Sequence, residues 1–123
     1  MQNFNPKSRS WDTKAQTWDF IENRYITDWA GKHGRLLELV RHIKNSDLAN
    51  RLYGSTSMDK LVVSNGDPID YAKEALHVTF DLYTRMWHFE YKEERFRKSG
   101  FIRDYREEDG IAKFDNFIKM IGW

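Results

Sequence analysis

Residues 75–91 read Ala-Leu-His-Val-Thr-Phe-Asp-Leu-Tyr-Thr-Arg-Met-Trp-His-Phe-Glu-Tyr. Large apolar residues alternate with small or polar ones in the first half, and aromatic residues alternate with Met, His and Glu in the second. This period of two, rich in aromatic and β-branched residues, is typical of half-buried strands. The stretch therefore predicts a β-hairpin whose inward face carries Leu76, Val78, Phe80, Trp87, Phe89 and Tyr91.

The turn of this hairpin determines which residues face each other. Gly and Asn, which favour a tight two-residue turn, are missing from Leu82-Tyr83. A longer loop is therefore the alternative to a turn centred on that pair. The two-residue turn predicts four cross-strand pairs: Val78–Trp87, Leu76–Phe89, His77–His88 and Thr79–Met86.

Length and composition indicate one soluble domain spanning residues 1–123. Five Trp, six Tyr and eight Phe supply burial area for a core, although the mean hydropathy is −0.80. The net charge of +1 gives no bulk attraction to nucleic acid or membrane. Without cysteine there is no disulfide or thiolate metal site. No apolar run reaches the ~18 residues of a membrane span, and no signal-peptide pattern is present, so a cytoplasmic location is expected.

Two helices are predicted before the hairpin, after a loose segment over residues 1–10. The first begins at a capping-box pattern of Thr13 and Gln16. Its apolar stripe is Trp18, Ile21, Tyr25 and Trp29. The second follows a break at Gly31 and Gly34. Its apolar positions are Leu36, Leu37, Leu39, Val40 and Ile43. Ser46 predicts the cap of a further short helix over residues 47–53, and a single bent helix through this region is the alternative.

Between these helices and the hairpin, residues 54–57 predict a loop and residues 58–64 a strand. Asp67-Pro68 has helix-start chemistry, which predicts one helical turn through Glu74. After the hairpin, Ser99-Gly100 favours a second turn, which makes residues 101–105 a candidate fourth strand.

A final helix is predicted from a capping-like pair, Asp104 and Glu107. Its inward stripe is Ile111, Phe114, Phe117, Ile118 and Ile121. The whole pattern predicts an α+β domain with two N-terminal helices, a three- or four-stranded antiparallel meander, and a C-terminal helix packed on one sheet face.

The outward face of the hairpin mixes polar and apolar side chains, and Tyr83 at the tip is difficult to bury. An ordinary solvated sheet face also carries polar residues. The leading hypothesis is a small protein-binding module, such as an inhibitor or immunity-type antitoxin that occludes a partner protein. Its candidate contact residues are His77, Thr79, Tyr83, Met86, His88 and Glu90.

A metal-binding protein or small enzyme is the first alternative. Two imidazoles and a carboxylate, from His77, His88 and Glu90, match the ligand sets of zinc and non-haem iron sites. Neither a phosphate-binding glycine loop nor a serine nucleophile elbow occurs in the chain. The sequence therefore favours a protein that is not an enzyme and has no cofactor.

A single-stranded nucleic-acid binder is the second alternative. Residues 92–106 hold six basic residues against three acidic ones, with Phe96, Phe101 and Tyr105 interleaved. Basic groups neutralise phosphates and aromatic rings stack on bases. The candidate residues are Lys92, Arg95, Arg97, Lys98 and Arg103.

The middle of the chain has the opposite charge balance. Residues 58–91 hold six acidic residues against three basic ones. Such a patch steers a basic partner towards a protein, although a solvated surface has the same composition.

Overall fold

The computed structural model describes residues 12–28, 33–66, 69–70, 74–93 and 100–123. In these ranges an antiparallel five-stranded sheet follows two α-helices and precedes a third. The predicted α+β class is confirmed, with more strands than expected. No helix in the described ranges is long and apolar enough to cross a membrane.

Helix α1 spans Trp18–Thr27 and begins later than predicted. The hydroxyl of Thr17, not the Thr13 and Gln16 pair, caps it by accepting the N–H of Phe20 at 3.1 Å. Gln16 has another role, described below. The predicted inward positions of this helix that the structure describes are Trp18, half-buried, and Ile21 and Tyr25, both fully buried.

Helix α2 spans Gly34–Lys44 and packs against α1. Its buried side chains are Leu36, Leu39, Val40 and Ile43. The hydroxyl of Ser46 then caps a 3₁₀ helix, Asp47–Asn50, by accepting the N–H of Leu48. This helix is shorter than the predicted one because Tyr53 already belongs to a strand.

The described part of the chain contains seven strands, in order β1 Asp12–Thr13, β2 Tyr53–Ser57, β3 Lys60–Ser64, β4 Ile69–Asp70, β5 Ala75–Asp81, β6 Met86–Lys92 and β7 Phe101–Arg106. The main sheet has the order β2-β3-β5-β6-β7, and each neighbouring pair is antiparallel. Strands β1 and β4 form a separate two-stranded sheet. The predicted fourth strand is thus present as β7.

Strand β2 lies where a loop was predicted, and that prediction is wrong. Gln16 makes an edge partner for β2: its N–H donates to the carbonyl of Gly54 at 2.9 Å, and its Oε1 accepts from the N–H of Thr56 at 3.1 Å. Gly54 is needed here because a Cβ would lie 2.5 Å from the ring of Trp18. Pairing of all five β2 residues with β3, together with the contacts from Gln16 and Trp18, therefore overrides the loop-like composition.

The helical turn predicted through Glu74 is also wrong within the described residues. Ile69–Asp70 form strand β4, because pairing with β1 replaces the local helix-start preference of Asp67-Pro68. Asp67-Pro68 and residues 71–73 themselves lie outside the described residues.

The central hairpin has the predicted faces but a different register. Its turn contains four residues, Leu82–Arg85, so all four predicted cross-strand pairs are wrong. The shift is two residues, and an even shift keeps every side chain on its face. The pairs on the inward face are Phe80–Trp87, Val78–Phe89 and Leu76–Tyr91.

Helix α3, Gly110–Ile121, closes the fold over the inward sheet face. It begins after a 3₁₀ turn, Glu107–Asp109, so the capping pair predicted for Asp104 and Glu107 is wrong. Asp104 belongs instead to β7. Phe114, Phe117 and Ile118 are the buried large side chains of α3, and Ile111 and Ile121 pack at its margins.

Candidate binding surface at the turn end of the sheet

Two turns, Met58–Asp59 and Leu82–Arg85, lie at the same end of the sheet because β3 and β5 are antiparallel neighbours. The start of α2 and the 3₁₀ turn before α3 reach this end as well, since Arg35 and Arg85 both bind the carboxylate of Glu107. We call this region the turn end.

Large apolar side chains at the turn end are exposed. Tyr83 is 98% exposed and Met58, in the other turn, is 85% exposed, while Leu82 next to Tyr83 in the chain is 38% exposed. Aromatic residues and methionine are enriched at protein interfaces, and contiguous exposed apolar groups often mark them. The turn end therefore has the composition of a contact surface.

Both turns hold a residue in the left-handed backbone region. Met58 has φ of 57° and Arg85 has φ of 58°, and no other non-glycine residue among the described ones has positive φ. This conformation costs an L-residue roughly 1–2 kcal/mol. It persists only where surrounding contacts hold the backbone.

Asp81 fixes the tip of the β5–β6 turn. Its Oδ1 accepts from the N–H of Tyr83 at 2.8 Å and of Thr84 at 3.3 Å, and its carbonyl accepts from the N–H of Arg85 at 2.8 Å. The guanidinium of Arg85 lies over the ring of Phe80, 5.0 Å from its centroid. The backbone beneath Tyr83 is thus held in one conformation.

Glu107, in the 3₁₀ turn before α3, ties the β5–β6 turn to helix α2 and to strand β6. Its carboxylate accepts from Arg85 and, at 3.0 Å, from Nε of Arg35, and its carbonyl accepts from Nε1 of Trp87 at 2.9 Å. The hydrogen bonds from Arg85 and Arg35 hold the pKa of Glu107 below its usual value. The charges are balanced there, because Glu38 also binds Arg35 at 2.9 Å. A cleft of about 360 Å³ lies beside these ion pairs, and we call it the helix-side cleft. Its lining residues are Gly34, Arg35, Glu38, Phe80, Leu82, Arg85 and Glu107.

A second depression lies on the other side of the turn, on the outward sheet face. We call it the outer groove, and its volume is about 390 Å³. Nδ1 of His88 lies 2.6 Å from Oδ1 of Asp104. An ionised carboxylate only accepts, so the ring donates from Nδ1. The residues lining the groove are Asp59, Thr79, Phe80, Asp81, Thr84, Met86, Trp87, His88 and Asp104.

Part of the outward face beyond the groove, on β3 and β5, is covered. Val62 and Ala75 there are fully or almost fully buried. His77 is mostly buried too, which lowers its pKa to about 4, and the nearby Lys60 and Lys92 act in the same direction. His77 is therefore neutral near pH 7, and most of its side chain is inaccessible to solvent.

The six candidate contact residues consequently divide into two groups. Thr79, Met86 and His88 line the outer groove, with Tyr83 at the adjacent tip. His77 and Glu90 lie directly opposite each other in the covered part of the face. The structure thus brings four of the six together at the turn end.

The pKa of His77 has a consequence for stability. In the unfolded chain His77 has the ordinary histidine pKa of 6.5, whereas in the folded protein its pKa is about 4. Between these two pH values the unfolded chain therefore binds a proton at His77 that the folded protein does not bind. Stability is therefore lost as the pH falls through this window, by about 2 kcal/mol at pH ~5. Denaturant unfolding of the wild type and His77→Gln over this range is expected to show the loss in the wild type only. A constant difference between the two proteins would contradict this.

The metal alternative has no geometric support in the described residues. Among them, no group of three or more His, Cys, Asp or Glu side chains can hold a metal ion. His88 pairs with Asp104, whereas His77 lies across from Glu90. The predicted ligand triplet is therefore divided.

The nucleic-acid alternative rests on residues that the structure places apart or does not describe. Lys92 lies 4.0 Å from Glu90 on the outward side, whereas Arg103 stacks on Phe101 at 5.0 Å on the side of the helices. Phe101 and Tyr105 pack against the core. Arg95, Arg97 and Lys98 lie outside the described residues.

Comparisons of the chain with protein-family models, with curated proteins and with solved structures found no match.

Sequence reasoning missed the residues that hold the turn end together. Arg35 and Glu107 are 72 positions apart, and no local pattern joins them. Asp81 did carry a signal, because aspartate often binds the backbone amide two residues on, here that of Tyr83.

Proposed function

We propose that this protein is a protein-binding module whose turn end docks on a partner protein and occludes it, as an inhibitor or immunity-type antitoxin does. The observation that carries the proposal is Tyr83, 98% exposed at the tip of a braced turn. A tyrosine side chain in water is available for contact, and tyrosine is enriched among the residues that dominate interface energies.

The brace beneath Tyr83 supports this role. Asp81 holds the backbone amides of the turn, and the Arg85–Glu107–Arg35 ion pairs anchor it to the helices. A contact residue on a fixed backbone loses little conformational freedom when it binds, so more of its contact energy appears as affinity. The strained backbone of Met58 and Arg85 fits a surface kept for binding.

Affinity purification from the native source, followed by measurement with the purified pair, tests the proposal. We expect one stoichiometric protein partner, whose affinity falls by about ten-fold or more in Tyr83→Ala. Tyr53→Ala is the matched control because Tyr53 is also exposed but lies on β2, away from the turn end. Its affinity is expected to equal that of the wild type.

Two outcomes would contradict the proposal. One is the lack of any stoichiometric partner. The other is a partner that binds Tyr83→Ala as tightly as the wild type. Thermal unfolding of both variants checks that a lower affinity does not reflect a lost fold.

A further inference from the structure

Charge is distributed unevenly around Tyr83. The helix-side cleft holds two arginines and two glutamates that bind one another. The outer groove holds three carboxylates, those of Asp59, Asp81 and Asp104, and its lining contains no lysine or arginine. One side of the turn end is therefore neutral and the other is acidic.

The basic residue beside the groove on β7 is paired with acidic residues outside the groove. Arg106 lies opposite Met86 in the sheet, and its Nε lies 3.1 Å from Asp109 and 3.5 Å from Glu108. Asp59 and Asp104 each have a histidine partner, with Nε2 of His33 3.8 Å from Asp59 and Nδ1 of His88 2.6 Å from Asp104. Their side chains are nevertheless 51% and 59% exposed, so a cation from outside can still reach them.

The groove also has an apolar component. Met86 supplies it, because its half-buried side chain faces outward beside the carboxylates, whereas Phe80 and Trp87 border the groove but are buried on the inward face. Arginine and lysine have an aliphatic stem that lies along apolar surface and a cationic head that binds carboxylates. The groove offers both kinds of contact to one such side chain.

We propose that the outer groove is the docking site for a partner segment that carries arginine or lysine side chains, beside the contact made by Tyr83. This deepens the proposed function, because it gives the chemistry of the partner and the direction from which it approaches. Complementary charge of this kind raises association rates and suppresses wrong partners.

The test uses a blocked peptide of alternating leucine and arginine, with glutamate replacing arginine in the control peptide. Backbone amide chemical shifts of the full chain are followed by NMR during titration. We expect the arginine peptide to shift the amide signals of the groove residues on the outward face, including Thr79, Met86 and His88. The glutamate peptide is expected to shift none of them, and added salt is expected to weaken the arginine peptide's binding.

The variant Asp81→Asn/Asp104→Asn removes two charges and keeps the oxygen acceptors that hold the turn and His88. We expect it to bind the arginine peptide about ten-fold more weakly. The matched control is Asp19→Asn/Asp47→Asn, which removes two exposed aspartates from α1 and the 3₁₀ helix, outside the groove. Its affinity is expected to be unchanged.

The proposal is overturned if the glutamate peptide binds equally well, if the shifts map elsewhere, or if both double variants bind like the wild type. These results are distinct from a failure of the proposed function. A partner whose binding depends on Tyr83 but not on salt or on Asp81 and Asp104 would overturn this inference alone. A groove that binds the arginine peptide, with no Tyr83-dependent partner, would overturn the proposed function alone.

Discussion

Phe89→Ala is expected to lower the free energy of unfolding by about 3–5 kcal/mol, because truncating a fully buried phenylalanine leaves a cavity. Phe89 lies on β6, between β5 and β7, opposite Val78 on one side. Its ring makes edge contacts with Trp87 and Tyr105, with centroids 6.2 and 5.1 Å away. Such contacts add to the cost of its removal.

Ile102→Ala is the control for this experiment. Ile102 lies on the adjacent strand β7 but faces outward and is 50% exposed, so its truncation is expected to cost about 1 kcal/mol or less. Urea unfolding of both variants gives the comparison. Similar losses in the two variants would show that the inward face of the hairpin is not the centre of the core.

The same face shows what the sequence could and could not predict. Alternation identified Val78, Trp87 and Phe89 as inward because burial acts on every second residue, whatever the register. The register itself depends on turn length, which is decided by Asp81 and the anchoring of Arg85. Those contacts are not visible in a hydrophobic pattern.

Sequence reasoning missed strand β2 and the division of the hairpin's outward face for a related reason. Residues 54–57 read as loop because glycine and hydroxyl residues are common in loops. Pairing with β3 along the whole strand, together with the edge contact of Gln16 about forty positions away, makes them a strand. Likewise, the outward residues of the hairpin formed one pattern in the sequence. The structure separates them, burying His77 and leaving Thr79, Met86 and His88 beside the outer groove. Coverage of a sheet face by other parts of a chain leaves no periodic signal in the strand itself.

Gly110→Ala is expected to destabilise the protein by about 2–4 kcal/mol, through overpacking and a lost hydrogen bond. A Cβ on Gly110 would lie 2.2 Å from Nε1 of Trp87. The buried indole would have to move away from the carbonyl of Glu107, to which it now donates at 2.9 Å. The substitution thus acts on the core and on the support of the turn end together.

Gly34→Ala is the matched control, because Gly34 and Gly110 are each the first residue of an α-helix. Nothing lies within 4 Å of a Cβ at Gly34, so the change is expected to be within about 0.5 kcal/mol or slightly stabilising. Denaturant unfolding gives the stabilities, and the indole N–H signal of Trp87 reports its hydrogen bond. Equal stabilities with an unchanged indole signal would contradict the close packing of α3 on Trp87. A shifted indole signal with weaker partner binding would instead show that a displaced Trp87 moves Glu107, and that Glu107 in turn moves the tip that carries Tyr83.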